Sequence, residues 1–476
     1  MASSRARSDF TPSIQRMPTD STHHRPPPAD PASRDSSTGA SLERVIGVRA
    51  LTASAFNTTV GSGIFVLPAA VAAMIGAAAP VAYIICAVAM ALVVLCFAEA
   101  GSRVSSTGGA YAYASAAFGP FVGALTGALL YAGAGVLASA AVMNVFVGTL
   151  TVLFPSIGTP VLRVLLMALI YGGLALLNVR GTKRGVRTME LFSLAKLVPL
   201  LLLVAFGVFA MDGANLAIPA LPPASDMARA SVMLIFAFLG FENALSPSGE
   251  VKDSHRTVPR AVLFALVLVT LLYLAIQMVA SGVLGPQLAN ETAAPLAAVA
   301  RVVFGSAGST FILIGTLIST FGYLSGDALS SPRALFALAE RGVLPPPIAR
   351  VHRTFHTPWL AIATHAVLAF TLASTGSFAT LIVVANVAIL LMYGVVCLGI
   401  FPLRRKNVRA GGEPFIVPGG PVIPIAAIGV LVWLLRTATA AEWIATGTTL
   451  AIAAALYAGS RLVWGRTPDR SQRPPA

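Results

Sequence analysis

Apolar residues along this chain come in long runs, separated by short polar segments marked by glycine and proline. Twelve such blocks can be drawn, at about 46–75, 80–101, 118–151, 158–178, 190–211, 227–249, 258–284, 303–339, 357–375, 378–402, 415–436 and 439–460. Most exceed the ~20 residues a helix needs to cross ~30 Å of hydrocarbon. The third and eighth are long enough to tilt or to run past the membrane. The pattern predicts an all-α integral membrane protein with twelve transmembrane helices. Ahead of the first block, residues 1–43 are rich in Ser, Pro, Arg and Asp and have no apolar run. That stretch reads as a disordered cytoplasmic tail rather than a signal peptide, with His23 and His24 solvated in it. A shorter C-terminal tail, also cytoplasmic, is predicted at 461–476.

Composition sharpens the picture. Of 476 residues, 56% are hydrophobic and 11% charged, against ~25% charged in soluble domains. Lipid is therefore the predicted solvent. The net charge of +14 would suggest nucleic acid in a soluble protein, but here Lys and Arg fall between apolar blocks. Placing the N-terminus inside and alternating sides leaves only Arg163, Arg229, Arg301 and Arg436 outside, with Lys196 within a helix and the rest of the 32 basic residues inside. That bias predicts cytoplasmic termini and excludes a nucleic-acid partner. Cys86, Cys96 and Cys397 show no pairing by spacing, so neither a disulfide framework nor a metal site is read from them. No nucleophile elbow, metal-ligand pair or Walker-type loop is found, which argues against an enzyme.

The first and sixth blocks share a feature the others lack: Gly61-Ser62-Gly63 near the midpoint of one, Leu239-Gly240-Phe241-Glu242 near that of the other. In lipid, freed backbone groups are tolerated where they line a cavity or pack in protein. Two interrupted helices, five helices apart, are the mark of an inverted repeat with its substrate between them. The repeats would span about 44–211 and 227–402, a transporter core, with two peripheral helices at 403–460. A half-helix starting at Gly61–Gly63 would present unpaired N–H groups and a positive dipole end, suited to a carboxylate.

Four segments carry a family resemblance. GSGIFVLP at 61–68, AEAGSRVSSTGGAYAY at 98–113, FAFLGFENALSPSGEVKDSHRTVPRA at 236–261 and RALFALAERGVLP at 333–345, with HTP at 356–358, resemble motifs of the amino acid–polyamine–organocation permeases. The resemblance runs from about 44 to 400. It implies a five-plus-five inverted repeat of the LeuT type with helices 1 and 6 broken, and amino acid transport without a cofactor. By that resemblance, N–H groups around Gly61, Ser62, Gly63 and Ile64 would hold the substrate carboxylate, and carbonyls of Phe236, Ala237 and Leu239 its ammonium. Phe236 would be an aromatic gate, and Phe238 and Phe241 either line the side-chain pocket or pack the bundle.

Charged residues inside the blocks complete the expectation. Intramembrane ionisable groups are rare and usually functional. Lys196, in LAKLVPLLLL, matches the fifth-helix lysine that, in proton-coupled permeases, sits where sodium-coupled relatives bind sodium; snorkelling to the interface is the plainer reading. Glu242 is read as a structural carboxylate or a protonation switch. Asp327 departs from the small or amide residue the resemblance implies and needs a partner, either Lys196 or a cationic substrate. Glu99 and Glu250, beside Arg103 and Lys252, are read as a charge network closing the cytoplasmic gate, or as solvated interface residues. Asn57, Thr58 and Thr59 make the first block unusually polar.

The resulting expectation is alternating access, with helices 1, 2, 6 and 7 rocking against 3, 4, 8 and 9, and proton-coupled uptake of neutral amino acids. An exchanger for cationic amino acids or polyamines is the runner-up, and a receptor that kept the fold but lost transport a third reading. The chain would act as a monomer or homodimer in a bacterial cytoplasmic membrane.

Overall fold

Prolines and glycines set where the helices of this chain begin and end. The computed structural model describes residues 46–464 except 105–107, 181–184, 219, 246–250 and 411. Glu250, Lys183, Arg184, the side chain of Arg187, the predicted N-terminal tail and residues 465–476 of the C-terminal one lie outside the described residues; residues 461–464, expected in that tail, continue the last helix. In chain order the helices are α1 (Val48–Thr59), α2 (Gly63–Ile75), α3 (Ala79–Arg103), α4 (Ala110–Phe118), α5 (Pro120–Leu130), α6 (Ala138–Leu153), α7 (Pro160–Arg180) and α8 (Gly185–Gly207). They continue as α9 (Ala224–Phe238), α10 (Phe241–Ala244), α11 (Ser254–Leu284), α12 (Pro295–Glu340), α13 (Trp359–Thr375), α14 (Phe378–Arg405), α15 (Val422–Leu435) and α16 (Ala440–Trp464). Among the described residues there is no strand, only an isolated parallel bridge between Ile46 and Val251.

Local chemistry accounts for these limits. Proline opens α5, α7 and α12 at the first position, where a missing N–H costs nothing. Ser377 caps α14 by accepting the Thr380 N–H. Gly305, at φ 75, kinks α12, so the eighth predicted block is preceded by an extra helical segment that the hydropathy pattern did not include. Between α5 and α6, Tyr131–Leu137 winds as a π-helix, a form concentrated at functional positions.

Among the described residues, six stretches are long and apolar enough to cross a membrane: Gly63–Arg103, Pro120–Leu153, Pro160–Arg180, Ser254–Asn290, Pro295–Glu340 and Phe378–Arg405. The bent pair Val422–Leu435 and Ala440–Ser460, meeting at 119°, makes a seventh when counted as one span. This is fewer than the twelve apolar blocks because α1, α9 and α13, at 12, 15 and 17 residues, and the apolar stretch Lys196–Ala210 fall short of a full span individually, while α15 and α16 pass only as a pair.

Helix α3 runs along α11, α12 along α8 and α6, and α14 against α3 and α6. Inside, α2 packs on α9, and α1 on α10 and α11. Phe241 belongs to this core: its ring meets Phe97 edge-on at 5.2 Å and Tyr393 at 5.7 Å, so of its two expected roles packing is the one the structure displays. Large apolar side chains such as Leu169 on α7 and Leu271 on α11 face outward, which a hydrocarbon solvent requires.

Candidate functional site

Helical backbone stops twice near the middle of the bundle. After α1, Val60 takes φ −72 and ψ 82 and the chain resumes as α2 at Gly63. After α9, Leu239 is extended at ψ 150 and Gly240 turns at φ 119 before α10. The two interruptions touch, since the Thr58 hydroxyl lies 3.0 Å from the Gly240 carbonyl. Together they bound a small cavity. One wall is Thr58, Thr59, Gly61, Ser62 and Gly63; the facing wall is Phe236, Leu239 and Gly240, closed by Ala134, Ala138, Val142 and Tyr323. None of these side chains carries a charge. The Ser62 hydroxyl is buried without a protein partner, a polar group that a bound ligand can satisfy.

Not all the residues expected at the site reach it. Gly61, Ser62, Gly63, Phe236 and Leu239 line the cavity, whereas Ile64, Ala237 and Phe238 do not. Ile64 is fully buried in the first turn of α2. The Ala237 carbonyl is engaged by the Tyr273 hydroxyl at 2.9 Å, and Phe238 turns away to stack edge-on against the Tyr273 ring at 5.5 Å. The Gly61 N–H is donated to Thr59, so the orphan donors belong to the first turn of α2 instead. Phe236 packs perpendicular to Phe378 at 5.7 Å while facing the cavity.

Two buried charged side chains hold the interruptions from behind. Lys196 of α8 donates to the carbonyls of Asn57 at 2.7 Å and Val60 at 2.5 Å, at the C-terminal end of α1. A cation is favoured there by the helix dipole and by carbonyls that have lost their helical partners. Glu242 accepts from the Gly240 N–H and from the Tyr393 hydroxyl, each at 3.1 Å, and so pins the second interruption. Tyr273 of α11 sits between them, with its hydroxyl 2.9 Å from both the Thr59 and Ala237 carbonyls. Having one proton, it can donate to only one at a time.

The family model for amino acid permeases matches residues 46–459. The chain belongs to the amino acid permease family. It is 29% identical over 426 residues to the serine/threonine exchanger SteT of Bacillus subtilis, covering 86% of this chain and 94% of that protein. The methylthioribose transporter of the same organism is 26% identical, over 88% of this chain and 93% of its own length. The branched-chain amino acid permease BcaP, also of Bacillus subtilis, is 25% identical over 82% and 86%. The family and these relatives are transporters, not enzymes, and with the six apolar helices they make this permease a multi-pass membrane protein.

The remaining polar residues of the permease fall into two further clusters. Asp327 does not meet Lys196, whose ammonium is taken up by the α1 carbonyls; it pairs with His365 of α13 at 3.0 Å. Glu99, fully buried, accepts from Arg103 at 2.9 Å, from the Arg404 guanidinium at 2.8 and 2.6 Å, and from the Val417 N–H at 3.0 Å. Its carboxylate thus joins α3 to α14 and the following loop, and it is no solvated interface residue. No group of three or more potential metal ligands occurs among the described residues.

Sequence reasoning missed Tyr273, Tyr323, His365 and Arg404. A signal was present for the first three: a hydroxyl or imidazole within an apolar block must find a partner. Arg404 lies just past the tenth apolar block, and hydropathy cannot show that its side chain reaches Glu99.

Proposed function

We propose that this permease is a secondary active transporter that takes up neutral amino acids by alternating access, driven by protons. The carrying observation is Lys196: its ammonium occupies carbonyl oxygens of Asn57 and Val60 at the first interruption, where an inorganic cation would otherwise be held. Loss of that proton would turn two charge-assisted bonds into weaker neutral ones and loosen the end of α1 beside the cavity. The neutral-substrate reading is supported by a cavity lined with hydroxyls, backbone and apolar groups and no charge. The relatives named for serine/threonine and branched-chain substrates agree with it.

In this reading the substrate carboxylate lies at the start of α2, near Ser62 and Gly63, and its ammonium on carbonyls at the end of α9. The short helices α1 and α2 make one interrupted span, as do α9 and α10. That gives twelve spans in two inverted five-helix repeats, with α15 and α16 peripheral. Both termini face the cytoplasm of a bacterial cell, by the positive-inside bias. Glu99, Arg103 and Arg404 stabilise the closed cytoplasmic side.

The test is uptake of a labelled amino acid panel into proteoliposomes, with and without an inward proton gradient, for wild type and Lys196→Ala. The gradient is expected to drive accumulation by wild type, and the variant to lose that response by about tenfold or more, as expected for a group essential to coupling. A second reading, obligatory exchange, is favoured by the similarity to SteT, named as a serine/threonine exchanger. Uptake that requires internal amino acid and ignores both gradient and variant would establish exchange and remove proton coupling.

A further inference from the structure

A second buried titratable cluster lies away from Lys196. Asp327, on α12, is 7% exposed and His365, on α13, 2%. The Asp327 Oδ2 lies 3.0 Å from His365 Nε2, and its Oδ1 accepts from the Ser331 hydroxyl. The other ring nitrogen, His365 Nδ1, lies 3.2 Å from the Tyr131 hydroxyl. Both outer members, Tyr131 and Ser331, line a wider cavity that also borders Arg333 and Arg341. The chain of hydrogen bonds therefore begins and ends at the wall of that cavity, with the buried imidazole and carboxylate between.

The same cluster adjoins the substrate cavity. Tyr131 begins the π-helical segment Tyr131–Leu137, and Ala134, within that segment, lines both the wide cavity and the central one. Tyr323, one turn before Asp327 on α12, lines the central cavity and places its hydroxyl 3.2 Å from the Ala134 carbonyl. One short piece of irregular helix thus carries a wall of the substrate space and a hydrogen-bond partner of the pair.

We propose that Asp327 and His365 form a proton-binding site whose occupancy is linked to amino acid binding through the Tyr131–Leu137 segment. This rests on the reading that the central cavity binds the amino acid. The step is a single proton transfer. With the pair at rest, His365 Nε2–H donates to the Asp327 carboxylate, Nδ1 carries a lone pair, and the Tyr131 O–H donates to it. A proton arriving from the wide cavity binds Nδ1, giving an imidazolium held against the carboxylate. The Nδ1–H then donates to Tyr131, whose own O–H must turn to another acceptor. Protonation therefore reverses the polarity of the Tyr131 contact, at the first residue of the π-helical segment.

Other groups around the pair are accounted for. Tyr171 of α7 faces Asp327 and its hydroxyl lies 3.3 Å from that of Ser139 on α6; Tyr323 is committed to Ala134. Arg333 and Arg341 border the wide cavity. On the neighbouring helices, Lys196 of α8 faces Asn57 and Val60, and Glu242 faces Gly240 and Tyr393.

The test uses purified full-length protein in detergent, wild type and Asp327→Asn, His365→Gln and Tyr131→Phe. Proton uptake on stepping from about pH 8 to 5, the range in which imidazole titrates, is read with an indicator dye in weak buffer without amino acid. Equilibrium binding of labelled neutral amino acids is then measured across the same range. Wild type is expected to take up one proton more than Asp327→Asn or His365→Gln. Its log Kd is expected to change with pH at a slope approaching ~1 per unit, the limit for one linked proton. Both variants flatten that slope, and Tyr131→Phe shifts it along the pH axis. Equal proton uptake by wild type and the two variants overturns the site, and an unchanged binding profile in them overturns the linkage. If no amino acid binds while the uptake difference persists, the substrate reading fails and the proton site stands. Should Asp327→Asn or His365→Gln not remain monodisperse, the acid-minus-alkaline infrared difference spectrum decides, by the presence or absence in wild type of imidazole protonation coupled to a tyrosine change that Tyr131→Phe removes.

Discussion

Replacing Glu99 with alanine is expected to lower the stability of the folded bundle by about 3–5 kcal/mol, the usual cost of removing one partner from a buried ion pair. The carboxylate is enclosed and holds Arg103, itself buried, and Arg404, which is 22% exposed. Arg404 grips it through two parallel bonds, at 2.8 and 2.6 Å, the geometry in which guanidinium and carboxylate bind most strongly. Deleting the anion leaves two guanidinium groups facing each other, one with no water to turn to. It also strips the Val417 N–H of its acceptor and so frees the loop after α14. Thermal melting in detergent measures the loss, and Glu99→Gln should fall between wild type and alanine because it keeps an acceptor but not the charge. If Glu99→Ala melts with wild type, the carboxylate does not tie α3 to α14.

A methyl group at Gly240 is expected to abolish amino acid binding and to destabilise the protein by about 2 kcal/mol or more. Its φ of 119 disfavours any L side chain. An added Cβ would overlap the Thr58 carbonyl oxygen and lie 2.6 Å from its carbon and 3.0 Å from the Thr59 nitrogen. These are backbone atoms, which cannot rotate aside as a side chain can. Relief requires parting the two interruptions, whose contact shapes the cavity. Gly61→Ala is the comparison: its Cβ would meet nothing nearer than the Thr59 oxygen at 3.9 Å. Its stability should stay within about 0.5 kcal/mol of wild type. Gly63→Ala should fall between, since its Cβ would press on the Phe236 ring at 3.1 Å and the Ala237 Cα at 3.2 Å. Equal effects at 61 and 240 would mean that ligand contact, not helix approach, governs these positions.

That series shows where reading the chain alone loses resolution. Both glycine clusters are visible in the sequence, and attention falls naturally on Gly61-Ser62-Gly63 because it is the denser. The greatest steric demand lies at Gly240, because Thr58, 182 residues away in sequence, closes over it. Likewise Ala237 and Phe238 follow Phe236 directly, yet the 3.6-residue turn carries them to a face occupied by Tyr273.

The sequence by itself determined that lipid is the solvent, that the chain is helical, and that it is an amino acid permease. Each of these depends on local quantities: the length of an apolar run, the rarity of charge within it, and short motifs read in order. Lys196, Asp327 and Glu99 stood out by the same rule, as ionisable groups where water is scarce. Their partners were decided only by the tertiary structure. Lys196 found the Asn57 and Val60 carbonyls, Asp327 found His365, and Glu99 found Arg404, which lies 305 residues along the chain. Burial makes an unpaired charge costly and so guarantees that some partner exists. Which partner it is depends on how helices far apart in sequence are rotated and crossed against one another.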